Sequence, residues 1–271
     1  MAEKLAIVTG STDGLGRMVA TRLAIGHGFR VIVHGRDRAR GEAVINAIAR
    51  DGGRAAFIAA DFASLAGVRK FAAEVDAACP RIDLLINNAG SGSGGASGKR
   101  QESRDGHELR FAVNYLAGFL LTNLLLDKLK ASAPARIVNV SSLGQQEIEF
   151  DDVMLTRGYS GTRAYCQSKL AQILFTFDLA AELKGSGVTA NCLHPATYMD
   201  TTMVRQAGVK PWSTVEQGAD AVMNLALAPD FARESGLFFD GLRRARPNAQ
   251  AFGEKARARL RDLSRKLTGL S

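Results

Sequence analysis

Residues 5–16, Leu-Ala-Ile-Val-Thr-Gly-Ser-Thr-Asp-Gly-Leu-Gly, join a short apolar run directly to a glycine-rich turn, and a helical pattern follows. Glycines in such a turn allow the backbone to bend tightly and to approach a pyrophosphate, which the amides at the helix N-terminus can bind. The same pattern is compatible with a simple tight connection between a strand and a helix, but its place after the first strand favours a dinucleotide site. The candidate contacts in this turn are Gly10, Ser11, Thr12, Asp13, Gly14, Leu15 and Gly16.

Short apolar runs alternate with helical segments along the rest of the chain. β-Branched residues are frequent in these runs, as is typical of strands buried on both faces of a parallel sheet. The predicted strands are Leu5–Val8, Arg30–Val33, Ala55–Ala59, Ile82–Ile86, Arg136–Val140, Val188–Leu193 and Leu237–Phe239. The predicted helices are Leu15–Gly26, Arg38–Arg50, Ser64–Ala78, Gly106–Leu129, Arg163–Leu183 and Thr214–Ala228. This alternation predicts an α/β, single-domain, Rossmann-type doubly wound sheet of about seven parallel strands, with helices on both faces and one domain over residues 1–271.

Much of the positive charge lies near the C-terminus. The 271 residues carry a formal net charge of +8, and 46% of them are hydrophobic, which is enough for one large core. Residues 242–271 predict a basic amphipathic helix, with Leu260, Leu263, Leu267 and Leu270 at helical spacing. The basic face could bind nucleic acid, but no nucleic-acid-binding module is recognisable, so we expect a solvated face and no such partner.

No export signal or membrane span is apparent in the sequence. Met1–Gly10 contains a charged pair followed by a strand, and no apolar run approaches the ~18–20 residues that a span requires. The three cysteines, Cys79, Cys166 and Cys192, have no metal-binding or redox spacing. We therefore expect a cytoplasmic protein with reduced thiols, without a membrane partner and without a metal site.

The end of the second predicted strand bears on the choice of cofactor. NAD-binding sites usually have an acidic side chain here, which holds both ribose hydroxyls. In this chain Gly35 occupies that place and Arg36 follows it. A guanidinium can pair bidentately with a ribose 2′-phosphate, so we expect NADP(H), preferred over NAD(H). The alternative is that Arg36 is a solvated loop charge and that Asp37 supplies the acidic contact.

Tyr165 and Lys169 form a candidate chemical centre. Four residues apart on a predicted helix, they face the same side. A phenol normally has a pKa near ~10, and a neighbouring ammonium would lower that pKa towards the range useful for proton exchange. The alternative is an ordinary surface pair on a helix.

These features, in this order, resemble the short-chain dehydrogenase/reductase family. The matching positions that follow the glycine-rich turn are Asp61, Asn87–Gly90, Asn114, Ser141-Ser142 and the Tyr165/Lys169 pair. Within the family, the chain resembles the retinol-dehydrogenase-like branch related to protochlorophyllide reductase. That resemblance rests on Asp105-Gly106-His107-Glu108, on the long connection from Ser142 to Tyr165, and on Ala164–Ala171.

The resemblance implies a strand order of 3-2-1-4-5-6-7 and a role for each matching residue. Tyr165 would be the general acid/base, Lys169 would lower its pKa and hold the nicotinamide ribose, Ser142 would bind the substrate oxygen, and Asn114 would anchor a water relay. Asp61 would contact the adenine, and Asn88 would stabilise the central strands. The cofactor contacts implied beyond the glycine-rich turn are Arg36, Asp61, Phe62, Asn88, Ala89, Gly90, Tyr165, Lys169, Pro195, Thr197 and Thr201.

The implied activity is that of an NADP(H)-dependent alcohol dehydrogenase or carbonyl reductase. Its substrate would be a largely apolar small molecule carrying the alcohol or carbonyl. A non-catalytic regulator that senses NADP(H) is an alternative, but such proteins typically lose the Tyr–Lys pair. One departure from the family pattern is Pro195-Ala196 in place of Pro-Gly, which leaves the threonine contact to the cofactor open between Thr197 and Thr201.

Three irregular segments should wall the substrate pocket: Leu143–Tyr159, Tyr198–Trp212 and the loop after Gly90. All three leave the carboxyl ends of strands, where ligands bind in open sheets. The alternative is that Met203 and Trp212 pack a local helix into the core. The helices Gly106–Leu129 and Arg163–Leu183 are apolar on more than one face, and their counterparts pair in similar proteins, so we also expect a homodimer or homotetramer.

Overall fold

The computed structural model describes residues 3–94 and 98–270 and contains one eight-stranded sheet. The strands are β1 (Leu5–Val8), β2 (Arg30–Gly35), β3 (Arg54–Ala59), β4 (Leu84–Asn87), β5 (Ala135–Val140), β6 (Val188–His194), β7 (Phe238–Asp240) and β8 (Arg243–Arg244). They lie in the order β3-β2-β1-β4-β5-β6-β7-β8, which confirms the predicted order of the first seven. These seven pair in parallel, whereas β8 pairs antiparallel with β7. The pattern of the sequence does not indicate β8, because it has only two residues.

Helices cover both faces of the sheet. In the described residues they are α1 (Gly14–Gly26), α2 (Arg38–Arg50), α3 (Leu65–Ala78), α4 (Ala117–Leu124), α5 (Leu126–Ala131), α6 (Gly161–Glu182), α7 (Thr202–Gln206), α8 (Val215–Leu227) and α9 (Glu254–Thr268). Successive strand residues point to opposite faces, so Ile7 packs in the core with α3, α4 and α6, while Ala6 and Val8 pack in the core with α1 and α8. The predicted doubly wound architecture is therefore confirmed.

The predicted helix over Gly106–Leu129 is interrupted in the structure. A π-helix occupies Phe111–Leu116, α4 follows it, and α5 begins only after Leu125. The backbone of Leu125 leaves the helical region, with φ −100° and ψ 3°, which ends α4 and separates it from α5. Apolar periodicity predicts that this segment is helical, but it does not reveal the extra residue in the turn that makes a π-helix.

The C-terminal helix starts later than the pattern indicates and packs on α6. Residues 242–253 contain β8 and a 3-10 turn at Ala249–Phe252, and α9 begins after Gly253. The Tyr115 hydroxyl lies 2.7 Å from Ser264 Oγ, and both of these groups are buried. Arg261 Nη1 also donates to both carboxylate oxygens of Asp178 on α6, at 2.9 and 2.8 Å.

This packing covers, within the chain, most of the residues behind the expected homodimer or homotetramer. Most apolar residues of α4, α6 and the π-helix are covered within the chain, although Leu124 is 37% exposed. α9 contributes Leu260 to the crevice lined by Tyr115, Phe119 and Phe175. The predicted interface residues that are at most 3% exposed are Leu116, Phe119, Leu120, Leu170, Ile173 and Leu174. Helical periodicity indicates that a face is covered but does not identify what covers it. Assembly itself stays a prediction.

Candidate active site

The glycine-rich turn packs tightly against the end of β4. Gly10 has φ +63°, and a Cβ there would lie 2.7 Å from the Cα of Ala89. A Cβ on Gly16 would overlap the Gly10 carbonyl oxygen and the side-chain amide of Asn88. Side chains at either position would therefore push the turn away from β4. Gly10 and Gly16 therefore leave the first turn of α1 close to the backbone that follows β1, an arrangement that suits a pyrophosphate site.

Asn88 joins the turn to β4, whereas its neighbour Asn87 joins β4 to β5. Asn88 Nδ2 donates to the carbonyl oxygens of Thr9 and Gly10, at 2.9 and 3.0 Å. Asn87 Nδ2 donates to Asn139 Oδ1 at 2.8 Å. The strand-stabilising role implied for Asn88 is thus shared between two adjacent amides. Asn87 belongs to the Asn87–Gly90 motif, but the resemblance implies no role for it.

His34 supports the turn from beneath, although no motif in the sequence indicates it. Its Nδ1 accepts the backbone N–H of Gly10 at 3.0 Å, so Nε2 carries the proton and donates to the Ala60 carbonyl at 3.2 Å. Burial lowers the pKa of His34 to about 4, so the ring is neutral at pH 7. The Phe62 ring stacks on His34 with centroids 3.9 Å apart and is itself buried. Its contact with the cofactor stays a prediction.

Arg36 and Asp37, the two residues that could select the cofactor, have different surroundings at the end of β2. Asp37 caps α2: its Oδ1 accepts the backbone N–H of Arg40 at 3.0 Å, and Oδ2 lies 3.7 Å from the Arg40 guanidinium. Arg36 is exposed beside the turn. A Cβ on Gly35 would lie 2.5 Å from Thr12 Cγ2, so a larger residue there would displace the turn.

Ser142, Tyr165 and Lys169 meet at the carboxyl end of β5. Lys169 Nζ donates to the Val140 carbonyl at 2.8 Å and to Gln172 Oε1 at 3.0 Å, and it lies 5.8 Å from the centroid of the Tyr165 ring. Burial lowers the pKa of Lys169 to about 7. The pKa of Tyr165 is raised, first by burial, and a hydrogen bond from Ser142 acts in the opposite direction.

Asn114 links the loop after β4 to the helix that carries Tyr165. Its Oδ1 accepts Ser91 N–H at 2.6 Å, and its Nδ2 donates to the Ser91 carbonyl at 3.1 Å and to Ser168 Oγ at 2.9 Å. A Cβ on Gly90 would lie 3.4 Å from Asn114 Oδ1 and 3.8 Å from Lys169 Nζ. The π-helix therefore brings Asn114 to the same corner as Lys169, and π-turns often mark such sites.

Thr197 and Thr201, both in the segment after β6, make different contacts. The Thr197 hydroxyl lies 3.0 Å from His194 Nε2, beneath the segment. Thr201 caps α7, and its Cγ2 would lie 3.2 Å from a Cβ on Gly14. Of these two threonines, Thr201 is therefore the one that lies against the glycine-rich turn. Pro195 lies directly after β6.

Asp61 lies after β3 in a local turn. Its Oδ1 accepts the backbone N–H of Ala63 at 3.0 Å, and its Oδ2 is 3.5 Å from the Arg104 guanidinium. Asp61 is partly exposed, with 29% of its side chain accessible. Because it follows β3, Asp61 lies at the same sheet edge as the glycine-rich turn, and its contact with the adenine stays a prediction.

The corner at which Ser142, Tyr165 and Lys169 meet has an apolar rim. We define this apolar rim as Leu143, Tyr198, Met203 and Trp212. Their exposed fractions are 47%, 45%, 41% and 74%, so Met203 and Trp212 do not pack into the core and the alternative for them is wrong. The Tyr198 and Trp212 rings meet at 5.1 Å in an edge-to-face arrangement. In contrast, the expected wall residue Ile148 is buried in the core.

A fourth segment, Leu242–Asn248, contacts the expected wall segment Leu143–Tyr159. The backbone N–H of Asn248 donates to Gln145 Oε1 at 2.7 Å, and Gly241 N–H donates to the His194 carbonyl at 2.8 Å. Its placement depends on the β7–β8 hairpin, of which the sequence pattern predicts β7 but not β8. Part of the predicted wall after Gly90, residues 95–97, lies outside the described residues.

The sheet order and the turn after β1 define a Rossmann-type dinucleotide-binding protein. The chain belongs to the short chain dehydrogenase family, whose family model matches residues 4–211, and it is an oxidoreductase of that family. Among the relatives, human retinol dehydrogenase 13 is 41% identical, over 98% of this chain and 85% of that protein. Mouse retinol dehydrogenase 11 is 39% identical, over 98% and 87%.

Solved structures agree with this assignment. A structure from Mycobacterium paratuberculosis has a TM-score of 0.80 and 31% identity, and the match covers 99% of this chain and 94% of that one. A short chain dehydrogenase from Burkholderia cenocepacia, solved in complex with NADP, has a TM-score of 0.71 and 27% identity, over 88% and 95%. No helix within residues 3–94 and 98–270 combines the length and apolarity needed to cross a membrane.

Proposed function

We propose that this protein transfers a hydride between NADP(H) and the alcohol or carbonyl group of a largely apolar small molecule. The observation that carries the proposal is the meeting of four groups, Ser142, Tyr165, Lys169 and Asn114, beside Gly90 at one corner of the sheet. An ordinary surface Tyr–Lys pair would be solvated, whereas Lys169 is buried and hydrogen-bonded.

The glycine-rich turn, Ala89, Gly90 and Arg36 would hold the dinucleotide. The close approach of Gly10 and Gly16 to β4 fits this assignment, because it leaves a backbone surface without side chains at the N-terminus of α1. When bound, the nicotinamide supplies or accepts the hydride.

Tyr165 would give a proton to the substrate oxygen in reduction and take it in oxidation. Ser142 would hold that oxygen beside the phenol. Lys169, when protonated, would favour the phenolate form of Tyr165 and so assist proton exchange. Asn114 would keep the loop after β4 and α6 together, since its amide bonds to both.

NADP(H) would be preferred over NAD(H). The carboxylate of Asp37 is engaged in capping α2, which disfavours it as the ribose contact, and exposed Arg36 offers a guanidinium for a 2′-phosphate. The Burkholderia structure was solved in complex with NADP, and so was a Pseudomonas aeruginosa structure that is 28% identical to this chain.

The apolar rim supports an apolar substrate, since pockets combine apolar walls with few orienting polar groups. Retinol and retinal are the first pair to test, because the relatives are named retinol dehydrogenases. A cytoplasmic location and a homodimer or homotetramer stay predictions.

The test is NADPH oxidation by the purified protein with a panel of aldehydes and ketones, retinal included. Tyr165→Phe is expected to lower kcat by about 100-fold or more while NADPH binding is retained. Tyr115→Phe is the matched control, because its hydroxyl lies against Ser264 beneath α9. A wild type that oxidises no NADPH, or a Tyr165→Phe variant as fast as the wild type, would overturn the proposal.

A further inference from the structure

A polar cluster of buried Glu108, buried Arg110 and half-buried Tyr159 lies against the loop after β4. Arg110 is 3% exposed and Glu108 is 1% exposed. Arg110 Nη1 donates to the Tyr159 hydroxyl at 2.6 Å and to Glu108 Oε1 at 3.2 Å, and the Tyr159 hydroxyl donates to Glu108 Oε1 at 3.0 Å. Glu108 Oε2 accepts the backbone N–H of Phe111, at the first residue of the π-helix.

The remaining donors of Arg110 bind the loop after β4. Its Nε donates to the Gly92 carbonyl at 3.0 Å, and its Nη2 donates to the Ser93 carbonyl at 2.9 Å. A Cβ on Gly161 would overlap the same Ser93 carbonyl, so this oxygen lies between the guanidinium and the first residue of α6. One side chain therefore joins the loop, the start of the π-helix and the start of α6.

Such an ion pair is a weak way to stabilise a fold. Removing two charges from water is costly, and apolar residues of similar volume often serve stability as well or better. A guanidinium, however, presents its donors in a rigid planar fork, which fixes several acceptors relative to one another. The cluster is therefore better suited to fixing geometry than to adding stability.

The segments that this cluster holds in place also adjoin the proposed reacting groups. Asn114, four residues after Arg110, binds Ser91 in the same loop, and Gly90 precedes that serine. Tyr165 lies four residues after Gly161, which is about one helical turn. A shift of the loop would therefore move Gly90, and a shift of the start of α6 would move Tyr165.

We propose that Arg110, held by Glu108 and Tyr159, is a positioning residue for the reaction: it aligns the loop after β4 and the start of α6, and so aligns Tyr165 with the nicotinamide end of the cofactor. This inference rests on the proposed function. It predicts that weakening the fork slows hydride transfer itself and leaves the 2′-phosphate end of the cofactor site unaffected.

The test is Arg110→Lys, which keeps a positive charge beside Glu108 but loses the fork. We expect kcat to fall by about 10- to 100-fold, because small misplacements of reacting groups are costly, while the preference for NADPH over NADH is unchanged. The deuterium isotope effect on kcat, measured with NADPH labelled at nicotinamide C4, is expected to increase because chemistry becomes the slow step. Tyr159→Phe leaves the direct Arg110–Glu108 contact and is expected to change both quantities in the same direction, by less.

Arg136→Lys is the matched control. Arg136 also donates to two main-chain carbonyls, those of Leu225 and Ala228, but it lies near the start of β5, at the opposite edge of the sheet. We expect it to lower the melting temperature without changing kcat or the isotope effect.

Folded Arg110→Lys with a wild-type kcat and isotope effect would overturn the role of Arg110. If Arg110→Lys does not fold, Tyr159→Phe with wild-type values would overturn it instead. A wild type that oxidises no NADPH would overturn the proposed function, and this role with it.

Discussion

The Lys169 ammonium donates a 2.8 Å hydrogen bond to the carbonyl oxygen of Val140, the last residue of β5. This bond and the one to Gln172 satisfy a charged group that is almost completely withdrawn from water. Because desolvation disfavours the charged form, the pKa of Lys169 is lowered to about 7. The residue that would assist Tyr165 is therefore close to half-protonated at neutral pH, and its burial opposes folding.

The first prediction concerns stability against pH in Lys169→Met. The unfolded chain keeps the Lys169 proton up to the ordinary pKa of 10.5, whereas the folded chain loses it near pH 7. The wild type therefore gains stability from this group as pH rises from about 7 to 10.5, by at most about 1.4 kcal/mol per pH unit. The stability of Lys169→Met relative to the wild type is expected to be highest at and below pH 7 and to fall across this window.

Urea unfolding at several pH values between 6 and 10 measures that difference. Lys130→Met, at an exposed position of α5, is the control and is expected to show no such trend. A difference that stays constant with pH, or that increases with pH, would show that Lys169 is not titrating near 7.

The second prediction concerns cofactor choice. Arg36→Ala is expected to lower kcat/KM for NADPH by about tenfold or more, since a charge-assisted hydrogen bond contributes about 1.5–3 kcal/mol, and to change kcat/KM for NADH little. Arg38→Ala is the matched control, because Arg38 is also exposed but faces Glu42 on α2. A wild type that prefers NADH, or an unchanged preference in Arg36→Ala, would mean that Asp37 or another group sets the choice.

The third prediction concerns a negative charge in the glycine-rich turn. Asp13 caps α1 by accepting Gly14 N–H at 2.7 Å, and its second oxygen accepts the Thr202 hydroxyl at 2.7 Å. A pyrophosphate at the N-terminus of α1 would meet this carboxylate. Asp13→Asn keeps a good cap and removes the charge, so NADPH is expected to bind a few-fold more tightly.

Because exposed charges are screened by salt, the gain in Asp13→Asn should be largest at low ionic strength. Titration of NADPH fluorescence at low and high salt measures it. Equal or weaker binding by the variant at low salt would show that Asp13 does not oppose the cofactor.

The fourth prediction concerns α9. A chain that ends at Gly253 would expose the apolar face that Leu260 and its neighbours cover, and large exposed apolar patches promote association. The shortened chain is expected to associate or aggregate at concentrations at which the full chain keeps a constant mass. Light scattering measures this. Arg259→Ala, which removes the contacts of Arg259 with Asp151 and with the Phe150 ring but keeps the apolar face of α9, serves as the control. Equal masses for the shortened and full chains would contradict the covering role of α9.

The sequence by itself determined the alternation of strands and helices, the glycine-rich turn, and the presence of Tyr165 and Lys169 on one helix face. These features are local: strand burial gives continuous apolar runs, and a helix places residues four apart on the same side. The strand order and the residue roles needed the family resemblance in addition.

Only the tertiary structure decided how these groups meet. The Lys169 ammonium donates to the Val140 carbonyl, and His34 Nδ1 accepts the Gly10 N–H. Arg110 joins the loop after β4 to the starts of the π-helix and of α6. Tyr115 and Ser264, which lie 149 positions apart, meet beneath α9. Each contact depends on the relative placement of elements that are distant in the chain. Periodicity records which side of an element is buried, but the identity of the group that buries it follows only from how the whole chain packs.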